Sequence, residues 1–228
     1  MPKFDVTKLN VAIDRLLETT QNPRHRFLLM AYSRHRYLEV AGRYEEIFAP
    51  EMMSMEPVYH FNQAGFEMSL RGQDQVKSLY RMWAETNQSI FFVESEEVAV
   101  ADHYIASVAT IYQQVSGKGL KQGKLLSHLP SKLSHTILEK ALTAKGFKAE
   151  EHDVYLYKMP GMQMIWPYDD RGMLVGEDQW EPEPSQAEIF KLVPEDVLTT
   201  EESGKLLAPF IKPLPSFDEM VLGKKAVA

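Results

Sequence analysis

The spacing of apolar residues changes near Ser89, and this change constrains the fold of the 228-residue chain more than any other feature of its sequence. Before Ser89, apolar positions recur mostly at helical spacing, apart from a β-prone stretch at 52–62. After it, β-branched and aromatic residues dominate, and a break at 101–104 indicates the reversal of a long hairpin. The predicted helices cover residues 6–19, 23–42 and 73–86, and two further strands are predicted at 153–168 and 173–182. Helices followed by a mostly antiparallel sheet predict an α+β roll.

Composition predicts one domain rather than two. Hydrophobic residues make up 44% of the chain, which is enough for one substantial core. We expect this domain to span residues 1–182, with a lysine-rich helical insertion at about 117–148. Six prolines from Pro182 onward predict an extended C-terminal tail over 183–228, which wraps its own domain or a neighbour.

Charge and cysteine content exclude several kinds of partner and chemistry. The net charge of −7 argues against a nucleic-acid partner, because such binding needs a basic surface. The absence of cysteine excludes disulfides and thiolate catalysis. The N-terminal stretch lacks the apolar core of a signal peptide, and no apolar run approaches the ~20 residues of a membrane span. We therefore expect no membrane partner and a cytoplasmic location.

No motif indicates a metal or an organic cofactor. The run GKGLKQGKL at 117–125 has the wrong glycine spacing for a phosphate-binding loop, and Leu125 stands where a hydroxyl should bind magnesium. His128 and His135 lie seven residues apart, and no histidine has the H-E-x-x-H spacing of a zinc site. We expect neither a metal nor a cofactor.

The stretch MMSMEPVYHFN at 52–62 places Glu56 in an otherwise apolar strand. Two interpretations are open: a strand-edge residue facing water, or a general base held in an apolar cavity with a raised pKa. In an extended strand Glu56 and His60 project from one face. On the preceding helix Tyr32 lies one turn from Arg36. These four residues are candidate catalytic or binding groups.

Two stretches resemble the SnoaL-like branch of the nuclear transport factor 2 superfamily. AYSRHRYLEVAGRYEEIFAPEMMSMEPVYHF is similar to the family's helices and first strand, and IWPYDDRGMLVGEDQWEP is similar to its closing hairpin. The resemblance covers roughly residues 24–181 apart from the insertion. It implies an NTF2-like, cone-shaped roll, in which a curved sheet and N-terminal helices enclose one pocket.

Ketosteroid isomerases of this superfamily offer a closer comparison. They have a helical Tyr, an F-A pair sixteen residues later, and a catalytic acid eight residues after that Phe. Tyr32, Phe48 and Glu56 reproduce this spacing. The resemblance implies that Glu56 is the general base and that Tyr32 donates a hydrogen bond to the reacting oxygen. The family's second oxyanion donor falls on Met164, so the resemblance does not extend to that donor.

Epoxide hydrolases of the same fold use an Arg-x-Asp pair after the long hairpin turn and an Asp on the final strand. YIASVATIY at 104–112 contains neither Arg nor Asp. The final Asp matches Asp178 through DQWEP, although counting from Gly172 shifts the match by one residue. Asp178 is therefore a further candidate catalytic acid, with a surface-paired carboxylate as the alternative.

The predicted site has polar groups opposite an apolar wall. On the strand at 153–168, Met162, Met164, Trp166 and Tyr168 share one face. The candidate catalytic residues are Glu56, Tyr32, His60 and Asp178, and the candidate substrate-binding residues are Arg36, Tyr59, Tyr112, Met164, Trp166 and Tyr168.

Three functions are open. The first is a cofactor-independent lyase or dehydratase acting on a hydroxylated aromatic small molecule. The chain resembles, in its length and its Met- and aromatic-rich walls, the sphingomonad diarylpropane lyases, which expel formaldehyde from a diaryl diol to leave a stilbene. The second is an isomerase or cyclase, and the third is a non-catalytic ligand-binding module. An open sheet with an apolar outer face also predicts a homodimer or homotrimer.

Overall fold

The computed structural model describes residues 4–63, 66–121 and 148–224. Its helices are α1 (Val11–Thr19), α2 (Pro23–Val40), α3 (Gln73–Glu85), α4 (Gly117–Lys121), α5 (Thr200–Leu207) and α6 (Phe217–Met220). Short 3-10 helices cover Val6–Lys8, Tyr44–Phe48, Pro184–Gln186 and Pro194–Asp196. Within these residues no helix is long and apolar enough to cross a membrane. The predicted insertion lies mostly outside the described residues, and α4 is its described part.

Helix α2 is the central helix of the fold. Its start is fixed by Asn22, whose side-chain oxygen accepts hydrogen bonds from the backbone N–H groups of Arg24 and His25, and by Pro23 in the first turn. The helix is buried on more than one side, because the sheet covers one face while α1, α5 and α6 contact others. Polar residues of its second half are therefore removed from water together with the apolar ones.

Seven strands of the described chain form one curved, mixed sheet. They are β1 (Met53–Gln63), β2 (Phe66–Arg71), β3 (Phe91–Val100), β4 (Tyr104–Ser116), β5 (Val154–Pro167), β6 (Leu174–Trp180) and β7 (Glu188–Lys191). The order is β2-β1-β6-β5-β4-β3, and β7 pairs with β5. Only the β1–β6 pair is parallel among these pairings. The predicted α+β class is confirmed, as is the long hairpin of β3 and β4.

The two faces of the sheet differ in what covers them. The inner face packs against α2 and α3 in the main core, which contains Tyr32, Tyr59 and Trp166. A second apolar cluster, around Phe92, Tyr112 and Leu156, also includes residues of the N-terminal and C-terminal segments. The main core thus lies between the inner side of the sheet and helices α2 and α3.

The outer face carries two rows of side chains that run across six strands. Register partners place Ser69, His60, Asp178, Ile165, Ala106 and Ala99 in the first row. The second row is Glu67, Asn62, Trp180, Gln163, Val108 and Glu97. Together they line a groove of about 870 Å³. Ile165, Val108 and Trp180 are each about half exposed there.

The C-terminal segment packs on the same chain. Strand β7 adds to β5, and α5 is capped by Thr199 and Glu202 in a reciprocal capping box. The Ser203 hydroxyl donates to the Val40 carbonyl at 2.8 Å, which ties α5 to the end of α2. Phe217 of α6 meets the Phe27 ring edge-on. This segment therefore packs against both α2 and the sheet, while the predicted domain boundary at residue 182 stays a prediction.

Candidate active site

A small cavity lies between the second half of α2 and the inner face of the sheet. Its volume is about 50 Å³. It is lined by Arg36, Glu39, Gln63, Trp83, Phe91, Ile111, Gln113, Met159, Met164, Trp166, Glu177 and Gln179. Charged and amide side chains therefore converge inside an otherwise aromatic and thioether-rich core, which is the usual composition of a binding site.

The fixed cation of the cavity is Arg36. Its Nη1 atom donates to both carboxylate oxygens of Glu96, at 2.9 and 3.1 Å, and both side chains are almost completely buried. The guanidinium also lies over the rings of Tyr32 and Phe91. The Tyr32 hydroxyl donates to the same Glu96 carboxylate at 3.4 Å, and burial raises the pKa of Tyr32. The cation is thus neutralised and held in one place.

Two buried carboxyl groups face this cation. Burial raises the pKa of Glu39 to about 8, and the nearby Arg36 only partly opposes that effect. Burial, and then the charge of Glu39, raise the pKa of Glu177 well above its usual value. Glu177 also accepts a hydrogen bond from the Gln179 amide, which in turn accepts one from Gln63 at 3.0 Å. At neutral pH both carboxyl groups are therefore mainly protonated.

A neutral histidine lies beside the cavity. His35 and the Tyr80 hydroxyl are 2.8 Å apart, and the imidazole meets the Trp166 ring edge-on at 4.9 Å. Burial, helped by the charge of Arg36, lowers the pKa of His35 to about 3. The imidazole is uncharged at neutral pH, so it packs and orients its neighbours without adding a charge.

The structure brings several predicted site residues to this cavity. Arg36, Met164 and Trp166 line it, and Tyr32 contacts both the Arg36–Glu96 pair and the Trp166 ring. The shared face of Met162, Met164, Trp166 and Tyr168 is confirmed, because all four side chains are buried in the main core. Tyr59 is buried in the same core, and its ring meets Tyr80 edge-on.

The prediction that Glu56 faces the cavity is wrong, because its side chain is exposed. Regular alternation was assumed for the strand, but the pairing of β1 with β6 shifts between Met53 and Val58. As a result Met55 and Glu56 are both exposed, and the alternation resumes only at the buried Pro57. The spacing shared with ketosteroid isomerases therefore does not place a carboxylate inside this chain.

His60 and Asp178 also lie outside the cavity, contrary to the prediction. Both are exposed, and they are register partners on the outer face of the sheet. His60 Nδ1 lies 2.7 Å from the Ser69 hydroxyl. Tyr112 is buried, but in the second cluster with Phe92, and its hydroxyl donates to Glu94 at 3.2 Å. None of the three residues lines the inner cavity.

Sequence reasoning missed Glu39, Glu96 and Glu177. Glu39 follows Arg36 by three positions on one helix, which was a usable signal. The match of the final acid to Asp178 was uncertain by one residue, and Glu177 is the residue before it. Because neighbouring strand residues point to opposite sides, Glu177 faces the cavity while Asp178 lies on the outer face. Glu96 lies beyond a register shift between Val93 and Ser95, which hides its orientation from any regular pattern.

No cluster of three metal-ligating side chains occurs in the part of the chain that the structure describes. The charged groups of the cavity are instead one ion pair and two carboxyl groups with raised pKa values. This arrangement can bind an oxygen-bearing group and move protons to or from it.

The architecture and site define an α+β protein with a polar cavity between helix and sheet, and comparisons with known proteins add a likeness of fold. No family model and no curated protein matches the sequence. A crystal structure of an NTF2-like protein from Anabaena variabilis ATCC 29413 is similar with a TM-score of 0.42 and 8% identity, covering 71% of this chain and 92% of that one. A phenazine biosynthesis-related protein from Pseudomonas aeruginosa has a TM-score of 0.35 and 10% identity, with coverages of 65% and 76%.

Proposed function

We propose that the chain is a cofactor-independent lyase, which eliminates a group from a hydroxylated aromatic small molecule by general acid–base chemistry in the inner cavity. The observation that carries the proposal is the pair of buried carboxyl groups, Glu39 and Glu177, on the same small cavity. Burial raises both pKa values. Two neighbouring carboxyl groups, one ionised and one protonated, can act as the base and the acid of one reaction.

We assign one role to each carboxyl group. With a pKa of about 8, Glu39 is partly ionised near neutral pH and serves as the base. Glu177 keeps its proton in the same range and serves as the acid. The Arg36 guanidinium beside them stabilises negative charge that develops on a substrate oxygen.

For a diaryl diol the step would balance as follows. Glu39 takes the proton of the primary hydroxyl, the adjacent carbon–carbon bond breaks, and formaldehyde leaves. The electron pair of that bond forms the double bond of the stilbene, while the benzylic hydroxyl departs as water with the proton of Glu177. One proton enters Glu39 and one leaves Glu177, so the pair must exchange a proton with solvent before the next turnover.

The size of the cavity limits what enters it. A volume of about 50 Å³ admits a few heavy atoms rather than an aromatic ring. The hydroxyl-bearing carbons would therefore enter, and the rings would lie toward Phe91 and Gln113, which are only half-buried. Binding of a two-ring substrate would require these side chains to move.

The test uses a panel of diarylpropane diols, with formaldehyde and stilbene measured as products. Glu39→Gln and Glu177→Gln should each reduce turnover by the ~10²–10⁴-fold typical of losing a general base or acid. Glu56→Gln is the matched control, because it makes the same chemical change on an exposed residue, and it should retain wild-type turnover. Full activity in both cavity variants would refute the proposal. An isomerised product without formaldehyde or water loss would instead favour an isomerase that uses the same pair.

A further inference from the structure

Three buried N–H groups around the inner cavity lack a hydrogen-bond partner. They are Nη2 of Arg36, Nε1 of Trp83 and Nε1 of Trp166, and none of them has a partner among the described residues. The three side chains are between 2% and 4% exposed. They come from α2, α3 and β5, and all three residues line the same cavity.

Such groups are rare in folded proteins, because an unpaired buried donor loses its hydrogen bonds to water without replacement. Three of them on one cavity indicate a position where another molecule supplies acceptors. Because the three residues belong to different helices and strands, a single local distortion of the backbone does not explain why all three N–H groups lack a partner.

As protonated acids, Glu39 and Glu177 each add one O–H donor to this surface and keep a carbonyl acceptor, and that of Glu177 already accepts from Gln179. Glu39 and Glu177 hold their protons at neutral pH, and both oxygens of Glu96 already accept from Arg36. The cavity therefore presents three unpaired N–H donors and the O–H groups of two carboxyls beside a guanidinium. A compact group with acceptors only, and with negative charge, satisfies such a surface best.

We infer that the inner cavity binds a carboxylate group of a small organic acid, held by the free N–H groups of Arg36, Trp83 and Trp166. The volume of about 50 Å³ corresponds to roughly three or four water-sized positions. Formate and acetate fit this space, whereas the ring of benzoate does not. The inference is independent of lyase activity, because binding is measured without turnover.

Binding is linked to the protons of the cavity. A carboxylate anion beside Glu39 disfavours ionisation of that residue, so the anion binds the form in which Glu39 is protonated. With the Glu39 pKa at about 8, that form is nearly complete at pH 6.5 and only a few per cent at pH 9.5. The apparent affinity should therefore fall about 30-fold between these pH values.

The experiment is a titration of the 15N-labelled full chain with sodium acetate, which follows the indole N–H resonances by NMR. The chain has three tryptophans, and Trp180 on the outer face is a built-in control. Acetate should shift the Trp83 and Trp166 resonances but not that of Trp180, about 30-fold more tightly at pH 6.5 than at pH 9.5. Trp83→Phe, Trp166→Phe and Trp180→Phe assign the resonances, and the wild-type titration stands even if a variant does not fold.

Formate should bind as acetate does, and benzoate should bind more weakly than either. Acetamide is the neutral control of the same shape. Equal binding of acetamide and acetate, or acetate binding that does not change with pH, would overturn the assignment of a carboxylate. No shift of Trp83 and Trp166 at either pH would overturn the inference as well. The two proposals can fail separately. Loss of lyase activity in Glu39→Gln with intact acetate binding would support both, whereas full lyase activity in that variant would refute only the lyase proposal.

Discussion

Replacing Glu39 by Gln should stabilise the fold at alkaline pH. Glu39 is 9% exposed, and within residues 4–63, 66–121 and 148–224 the nearby cation, Arg36, forms its ion pair with Glu96 instead. Burial raises its pKa from 4.5 to about 8, so the folded chain holds a proton that the unfolded chain releases. Gln has almost the same shape and has no proton to lose.

The sign and size of the effect follow from proton linkage. Because the folded state binds more protons between the two pKa values, stability falls as pH rises from 4.5 to about 8 and then levels off. For a single group with these values, the loss between pH 5 and pH 9 is about 4 kcal/mol, of which about 2.5 kcal/mol is lost by pH 7. Glu39→Gln should remove this contribution.

The assay is urea unfolding followed by circular dichroism at pH 5, 7 and 9, for the wild type, Glu39→Gln and Glu56→Gln. The free energy of unfolding of Glu39→Gln relative to wild type should rise with pH by about 4 kcal/mol over the range. Glu56→Gln changes an exposed carboxylate and should follow the wild type. If the difference between Glu39→Gln and wild type stays constant from pH 5 to pH 9, Glu39 has an ordinary pKa and the reasoning fails.

Three further predictions concern the cavity wall and the outer face. Arg36→Met leaves Glu96 buried without its cation and should lower the free energy of unfolding, measured in urea, by about 3–5 kcal/mol. Adding Glu96→Gln to this variant should restore most of the loss, and an equal loss in the single and the double variant would contradict the role of the ion pair. Because the pKa of His35 is lowered to about 3, the unfolded chain binds a proton below pH 6.5 that the folded chain does not, and the free energy of unfolding should fall by about 2 kcal/mol between pH 7.5 and pH 5. Urea unfolding at these two pH values should show no such fall for His35→Gln. The expected dimer or trimer should appear in light scattering at micromolar concentration and weaken in Ile165→Lys, which charges the outer groove; a wild-type mass of one chain would contradict it.

The fold class could be predicted from the sequence because the spacing of apolar residues agrees with the helix-start and turn residues over long segments. The Asn22-Pro23 start of α2 and the β3–β4 hairpin follow from local signals that tertiary contacts did not overrule. The wall of Met162, Met164, Trp166 and Tyr168 was predictable for the same reason, since β5 alternates regularly through that stretch. Where a strand or helix is regular, the spacing of its apolar residues predicts which side chains are buried.

The buried acidic residues were not predicted from the sequence, because their burial depends on irregular strand pairing and on contacts distant in sequence. A register shift in β1 exposes Glu56, and another in β3 helps to bury Glu96. Regular alternation along these strands does not predict either shift. Burial of Glu39 depends on the C-terminal segment and the sheet covering α2 from different sides. Such coverage comes from residues distant in sequence, so the helical spacing of Arg36 and Glu39 shows that they share a face but not that this face is buried.

The central claim is that two carboxyl groups inside the cavity keep their protons at neutral pH. It is tested most directly by a 13C NMR titration of the side-chain carboxyl groups of the 13C-glutamate-labelled chain. A resonance that titrates near pH 8 should disappear in Glu39→Gln, and another that titrates above the usual glutamate range should disappear in Glu177→Gln. If every glutamate resonance titrates between about pH 3 and pH 5.5, the cavity holds no acid–base pair and the account is contradicted.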